Sequence, residues 1–327
     1  MGTAGEGSGR GALLSIQDLR VYYYFEAAVT KAVDGVSLNL EKGDVLGIIG
    51  ESGSGKSTLA RAVPRLLSRY AKIVSGRIVF EGEDLTTKDE RDMMKIRGKR
   101  VSIILQNPSA LNPTIRIGEQ IAEVLRDVSP KSDPKPLVVE ALRMVGIHNA
   151  ESRASSYPYE FSVGMRQRVM IAMALAAKPA LVVADEPTSA LDVSTQAQIL
   201  GLIDRLKAEF GFSMLFITHH IGVASQMCNK IAVMYGGKVV EVGPKDDVLS
   251  KPRHPYSFGL LRSIPYLTRD MGKLYVIEGK PPDLTDPPPG CRFHPRCRNA
   301  IEICMLREPP LDGEDQITMS ACFNPIR

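Results

Sequence analysis

Gly50-Glu51-Ser52-Gly53-Ser54-Gly55-Lys56-Ser57 is the stretch from which the rest of this 327-residue chain is read. The run before it, Val45-Leu46-Gly47-Ile48-Ile49, has the composition of a strand buried in a parallel sheet, and Ser57 to Leu67 is helix-competent. Strand, glycine-rich turn and helix in that order make a phosphate-binding loop. The glycines let the backbone curl until successive N–H groups converge, and the helix adds the positive end of its dipole. Gly50, Ser52, Gly53, Ser54, Gly55 and the adjoining Thr58 are thereby expected to cradle the β- and γ-phosphates of a nucleotide. Lys56 reaches the outer phosphates as a point charge, and the Ser57 hydroxyl completes the coordination of a magnesium ion. A Gly/Ser-rich surface turn is the plain alternative, and the flanking strand and helix speak against it. Pro64 should kink the helix or end it early.

Upstream of the loop, Leu19, Val21 and Tyr23 alternate with Arg20 and Tyr22 at the period of a half-exposed strand, and Ala32 to Leu40 forms a second run. An aromatic ring just before such a loop can stack on adenine, and Tyr23 is the choice over Tyr22 and Tyr24. Downstream, Gly76 to Phe80 reads as strand and Glu81 to Arg100 as a charged helix. Val101-Ser102-Ile103-Ile104-Leu105 then leads to Gln106, which reads either as a simple polar cap of the strand or as a residue that can reach magnesium and the attacking water. Residues 107–170 follow a mainly helical period and are expected to form an inserted helical lobe, with a polar Pro-containing loop at Ser129 to Pro136.

Ala180-Leu181-Val182-Val183-Ala184 is a buried strand ending in Asp185-Glu186. Two adjacent acids at a strand tip are costly without a cationic partner. Asp185 is expected to hold magnesium through water, and Glu186 to orient or deprotonate the water that attacks the γ-phosphate. A helix N-cap with a solvated neighbour is the structural alternative. Met214-Leu215-Phe216-Ile217 is a further buried strand, ending at Thr218-His219-His220. A His at a strand end is commonly a satisfied packing residue, but in this order after Asp185 and Glu186 His219 can instead sense the γ-phosphate and fix the water. Lys230 to Met234 and Lys238 to Val242 read as a hairpin that closes the nucleotide domain.

Composition sets limits. A hydrophobic content of 44% supports a substantial core, and a net charge of +4 with cations and anions interspersed gives no argument for nucleic acid. The longest apolar run, Val169 to Ala177, is too short to span a bilayer. No signal peptide opens the chain, so the expectation is a cytosolic protein, free or held at a membrane by partners. Met1 to Gly11 is Gly-rich and expected to be disordered.

In order and spacing, the phosphate loop, Gln106, Phe161-Ser162-Val163-Gly164-Met165, Asp185-Glu186, Ser189-Ala190-Leu191-Asp192 and His219 resemble the ATP-binding-cassette ATPases over about Leu14 to Ser250. The resemblance implies an α/β cassette, a P-loop core sheet with a helical subdomain, in residues 12–250. It also implies a head-to-tail dimer in which each of two ATP molecules touches the phosphate loop of one chain and the signature segment of the other. Ser162, Gly164 and Asp192 would then join the nucleotide-binding residues, with Glu186, His219, Lys56 and Gln106 serving hydrolysis. Where the family has Ser-Gly-Gly, this chain has Ser162-Val163-Gly164. A Cβ at Val163 would crowd the approach to the γ-phosphate or force a strained dihedral, weakening the site that this signature completes on a partner.

The tail, residues 251–327, is expected to be a small irregular extension. It contains His254-Pro255-Tyr256, a Pro-rich stretch from Pro281 to Pro289, and Cys291, Cys297, Cys304 and Cys322 spaced C-x5-C-x6-C-x17-C. Disulfides do not suit a reducing cytosol. Zinc usually shows a close C-x2-C pair, so this spacing favours an iron–sulfur cluster, with zinc as the alternative. Cys228 reads as a buried structural thiol. With Asn107-Pro108-Ser109-Ala110-Leu111-Asn112-Pro113, this tail resembles the ATPase subunits of dipeptide and oligopeptide importers. The resemblance implies a 4Fe-4S cluster on the four cysteines, a second non-identical ATPase subunit, two membrane permeases, an extracytoplasmic substrate-binding protein and a place at the cytoplasmic face of the membrane. Import of another solute such as nickel or an oligosaccharide, a soluble ABC ATPase acting on nucleic acid or ribosomes, and an unpaired regulatory ATPase are the rival readings.

Overall fold

A computed structural model describes residues 11–26, 28–107, 110–128, 130–263, 276–313 and 317–326. The expectation for residues 1–10, and the parts of the loops at Pro108, Ser109 and Ser129, lie outside the described residues. Strands and helices are numbered in chain order.

Alternating burial marks one sheet and continuous burial the other. β1 (Leu14–Phe25), β2 (Ala28–Leu40), β4 (Ala71–Phe80) and β5 (Glu83–Asp84) form an antiparallel sheet in the order β2-β1-β4-β5. Its strands expose one face, as the alternation around Leu19, Val21 and Tyr23 requires. The second sheet combines β3 (Val45–Ile49), β6 (Val101–Ile104), β7 (Leu181–Asp185), β8 (Ser213–Ile217), β9 (Lys230–Tyr235), β10 (Lys238–Pro244) and β11 (Met319–Ser320). Its order is β11-β10-β9-β3-β8-β7-β6, parallel from β9 through β6. Every residue of β3, β7 and β8 is buried, because both faces of these strands are covered. Leu46 and Ile48 pack toward the antiparallel sheet, while Val45 and Ile49 pack into the core shared with the helices.

The helices are α1 (Lys56–Ala62), α2 (Glu90–Ile96), α3 (Ile117–Val128), α4 (Pro134–Met144), α5 (Ala150–Arg153), α6 (Val163–Leu175), α7 (Val193–Phe210), α8 (Ile221–Met227), α9 (Lys245–Ser250), α10 (Pro255–Arg262) and α11 (Glu302–Leu306). α1 stops at Ala62, two residues before Pro64 and short of the expected Leu67. The single helix expected over Glu81 to Arg100 is reduced to α2. Gly82 takes a left-handed φ of 83° at the β4–β5 turn, and Asp89 caps α2 by accepting from the Asp92 N–H. α3, α4 and α6 pack their apolar faces together as a helical lobe around Ile117, Ile121, Leu142 and Val169.

The β9–β10 hairpin turns at Gly236-Gly237 as expected, yet it does not close the sheet. β11, from the tail, pairs antiparallel with β10 through Glu241↔Ser320 and Val242↔Met319. The tail is knitted further into the cassette by the Lys31 N–H, which donates to the Leu284 carbonyl at 2.9 Å.

Candidate active site

The parallel strands deliver their C-terminal ends to one edge, and there the expected residues gather. β3 runs into the phosphate loop, β7 ends at Asp185, β8 leads to His219, and β6 leads to Gln106. The loop's curl depends on two glycines. Gly50 has φ 151° and a Cβ there would sit 2.2 Å from the Met234 carbonyl oxygen; at Gly55, with φ 101°, it would sit 2.1 Å from that of Ala32. Ser54 is buried and its carbonyl accepts from the Gly237 N–H, so the hairpin turn supports the loop from behind. Ser52 and Gly53 are exposed on the loop's outer side.

Lys56 is 5% exposed, and its Nζ donates to the carbonyls of Gly50 at 2.8 Å and Glu51 at 2.7 Å. Burial pushes its ammonium pKa down, opposed by Glu186, Asp185 and Glu51. Ser57 Oγ donates to Asp185 Oδ1 at 2.8 Å. Asp185 is fully buried, and burial raises its carboxyl pKa. Among the described residues its Oδ2 has no hydrogen-bond partner, and Arg61 Nε stands 3.6 Å away. A buried carboxylate oxygen without a donor, beside a serine hydroxyl, fits a hard divalent cation. Ser57 and Asp185 are therefore the residues that would hold magnesium.

Glu186 follows with a left-handed φ of 49°, strain of the kind that persists when surrounding contacts fix it. Its N–H donates to the Ile217 carbonyl, and both carboxylate oxygens are engaged. Gln106 Nε2 donates to Oε2 at 3.0 Å, and His219 Nδ1 lies 3.0 Å from Oε1. Gln106 thus meets Glu186 rather than the Ser57–Asp185 pair. Tyr23 is half-buried, with its hydroxyl 3.2 Å from Thr58 Oγ1 at the start of α1, which places its ring beside the loop.

The signature residues stand elsewhere. Ser162 caps α6 by accepting from the Met165 N–H at 3.2 Å, and Val163 is the first helical residue, 40% exposed. Val163 has no left-handed φ, so the strained dihedral expected there is absent; what remains is the exposed Cβ. A Cβ on Gly164 would meet Thr195 Cγ2 at 2.6 Å. Among the described residues no hydrogen bond joins Ser162 or Gly164 to the phosphate loop. Asp192 caps α7: its Oδ1 accepts from the N–H groups of Ser194 and Thr195, and its Oδ2 accepts from Thr195 Oγ1. Those bonds, led by the Thr195 N–H, lower its carboxyl pKa to about 2.

All five cysteines are free thiols. Cys228 is 4% exposed against Gly47, and burial raises its pKa to about 12. In the tail, the Cys291 N–H donates to the Cys304 carbonyl at 2.8 Å. Burial raises the pKa of Cys291, Cys297 and Cys322, and each also feels the charge of neighbouring members of the set. Among the described residues, however, no three His, Cys, Asp or Glu side chains are arranged to hold a metal ion. The four thiols are neighbours but do not form a ligand set as they stand.

Sequence reasoning missed what surrounds Glu51. Its N–H donates to Tyr256 Oη at 2.8 Å, and its carboxylate pairs with Arg296. The only signals were Tyr256 in the quoted tail segment and the place of Arg296 beside Cys297.

With this geometry in hand, similarities to known proteins fall into place. A family profile described as "ABC transporter" matches residues 33–189, and one described as "Oligopeptide/dipeptide transporter, C-terminal region" matches residues 240–304. The chain is 45% identical over 306 residues to the oligopeptide transport ATP-binding protein OppD of Bacillus subtilis, covering 91% of this chain and 85% of that one. It is 43% identical to OppD of Salmonella typhimurium, covering 96% and 94%. It is 44% identical to the dipeptide transport ATP-binding protein DppD of Bacillus subtilis, covering 89% and 88%. Among solved structures it is similar to the ATP-binding cassette MJ0796 in a dimeric post-hydrolysis state bound to ADP and Pi. The TM-score is 0.64 at 27% identity, over 71% of this chain and 98% of that one.

Proposed function

The chain belongs to the ATP-binding subunits of oligopeptide and dipeptide ABC transporters, and from that premise we propose that its ATPase activity powers import of short peptides through partner permeases. The observation that carries the proposal is the meeting of Ser57 with Asp185 at 2.8 Å beside a Glu186 held by Gln106 and His219. Lys56 and the loop N–H groups bind the phosphates, and Ser57 and Asp185 would hold a magnesium ion, which when bound would supply positive charge against the phosphoryl oxygens. Glu186 orients the attacking water and draws off its proton; His219 and Gln106 keep its carboxylate in one orientation.

The separation of Ser162 and Gly164 from the chain's own loop supports a head-to-tail pair in which each chain lends its signature to the other's ATP. The dimeric MJ0796 cassette lends weight to that arrangement. The partner is a non-identical second ATPase subunit, and two permeases and an extracytoplasmic binding protein complete the importer. Among the described residues no helix is long and apolar enough to cross a membrane, in keeping with a peripheral place at the cytoplasmic face. A mild net charge of +4 favours no nucleic-acid partner.

A 4Fe-4S cluster on Cys291, Cys297, Cys304 and Cys322 is part of the proposal, supported by the spacing of the four free thiols and the Cys291 N–H bond to the Cys304 carbonyl, and it would require side-chain rearrangement to bring three or more into ligating positions. Iron and acid-labile sulfide in the purified protein are expected, and zinc in their place would overturn it. For transport, the complex reconstituted in vesicles with a peptide-loaded binding protein should hydrolyse ATP faster than without peptide. Equal rates with and without peptide, or co-purification with salt-sensitive nucleic acid instead of permeases, would sink the peptide-import reading.

A further inference from the structure

Glu51, the second residue of the phosphate loop, is held from outside the loop on every polar group but one. Its carbonyl accepts from Lys56 Nζ within the loop at 2.7 Å. Its N–H goes to Tyr256 Oη at 2.8 Å, and its carboxylate takes two bonds from Arg296, Nη1 to Oε2 at 2.8 Å and Nη2 to Oε1 at 3.2 Å. Tyr256 is fully buried on α10, and Arg296, at 6% side-chain exposure, lies in the cysteine-bearing segment. The guanidinium is itself fixed: Nε donates to the Glu278 carbonyl at 2.9 Å, Nη2 to that of Ile277 at 3.3 Å, and Nη1 to Tyr235 Oη at 3.3 Å. A planar fork satisfied at all its nitrogens cannot swing away at little cost.

A carboxylate in a loop built to receive a triphosphate is an electrostatic liability unless its charge is cancelled. We propose that Arg296 is a positioning residue for ATP binding, supplied by the C-terminal extension, which neutralises Glu51 and with Tyr256 fixes the entry to the phosphate loop. The extension is thereby part of the nucleotide site. ATP affinity and the folded state of the extension are linked, since whatever displaces Arg296 leaves an unpaired carboxylate on the phosphate loop. The inference rests on reading Gly50 to Ser57 as the ATP site.

The test is titration of the full-length protein with a fluorescent ATP analogue and magnesium at low and high salt. A structural brace and a charge canceller differ in sign. If Arg296 cancels Glu51, R296A weakens binding about tenfold at low salt and less at high salt, and the E51Q/R296A double variant binds at least about threefold more tightly than R296A. R296K, which keeps the charge but not the fork, should bind more tightly than R296A. R296A binding as wild type does, or a double variant as weak as R296A alone, would overturn the proposal. Should R296A not fold, R296Q against R296K carries the test: the glutamine variant must bind at least about fivefold more weakly. Iron and sulfide content measured on each variant separates loss of a cluster from loss of charge: R296A weakened only in proportion to lost iron would also overturn it. A wild-type chain that bound no nucleotide would instead overturn the reading of the loop.

Discussion

His219 Nδ1 lies 3.0 Å from Glu186 Oε1, and the opposite oxygen of the same carboxylate accepts from Gln106 at 3.0 Å. A residue with φ 49° is thus clamped from both sides at the mouth of the phosphate loop. Replacing Glu186 with Gln keeps the shape and removes the proposed base. E186Q should lower kcat by roughly a hundredfold or more while nucleotide affinity stays within about threefold. H219A leaves the base but frees one side of it, so a smaller loss in kcat is expected. Single-turnover hydrolysis alongside equilibrium binding separates the two effects, and an E186Q variant retaining wild-type turnover would remove Glu186 from the mechanism.

Gly164 is required by a neighbour rather than by its own backbone. Its ideal Cβ would approach Thr195 Cγ2 to 2.6 Å, and Thr195 cannot turn away freely because its Oγ1 donates to Asp192 at 2.7 Å. G164A should push the signature segment off the start of α7 and cost about 1–3 kcal/mol as overpacking does. Thr195→Ser deletes the offending methyl and keeps the hydroxyl bond. The expected outcome is that G164A/T195S recovers most of the stability and of the complex's ATPase rate, measured by denaturant unfolding and steady-state assay; no recovery would mean the clash is not the cause.

Val163 occupies the first turn of α6 without backbone strain, so in the proposed head-to-tail pair its effect on the partner's site would come from its exposed side chain. V163G removes that obstruction but places glycine in a helix, which costs about 0.5–1 kcal/mol. In the assembled complex, hydrolysis at the partner's loop should rise in V163G despite this loss. A single-turnover assay with the chain's own site disabled by E186Q isolates the effect, and an unchanged rate would show that Val163 does not limit that site.

Much of this was legible because continuous apolar strands and the residues at their C-terminal ends are local in sequence: Ile49 to Gly50, Ala184 to Asp185-Glu186, Ile217 to His219. The Ser57–Asp185 bond spans 128 positions, yet each partner announces itself by its own strand. The helix expected over Glu81 to Arg100 failed because turn chemistry at Gly82 and Asp89 outweighed helix propensity. The Glu51–Arg296 pair, 245 positions apart, was illegible for another reason: neither residue sits in a patterned element that points to the other, and only folding of the tail over the loop brings them together.

The tail's own hold on the cassette should be sensitive to acid. His254 is 1% exposed; its Nδ1 accepts from the Tyr256 N–H at 3.0 Å, and its backbone N–H, not its ring, donates to the buried Glu241 carboxylate at 3.0 Å. Burial lowers the imidazole pKa from 6.5 to about 3. With the folded value below the unfolded one, the unfolded chain binds the proton first as pH falls below about 6.5, and stability drops by at most about 1.4 kcal/mol per pH unit from there down to the folded pKa. Burial raises the Glu241 pKa, which acts in the opposite sense, so the His254 contribution must be read as a difference. His254→Asn keeps a capping acceptor that does not titrate. Between pH 7.5 and 5.5, denaturant unfolding of wild type should lose about 1–1.5 kcal/mol more than that of H254N; equal losses would show that His254 is not held neutral in the fold.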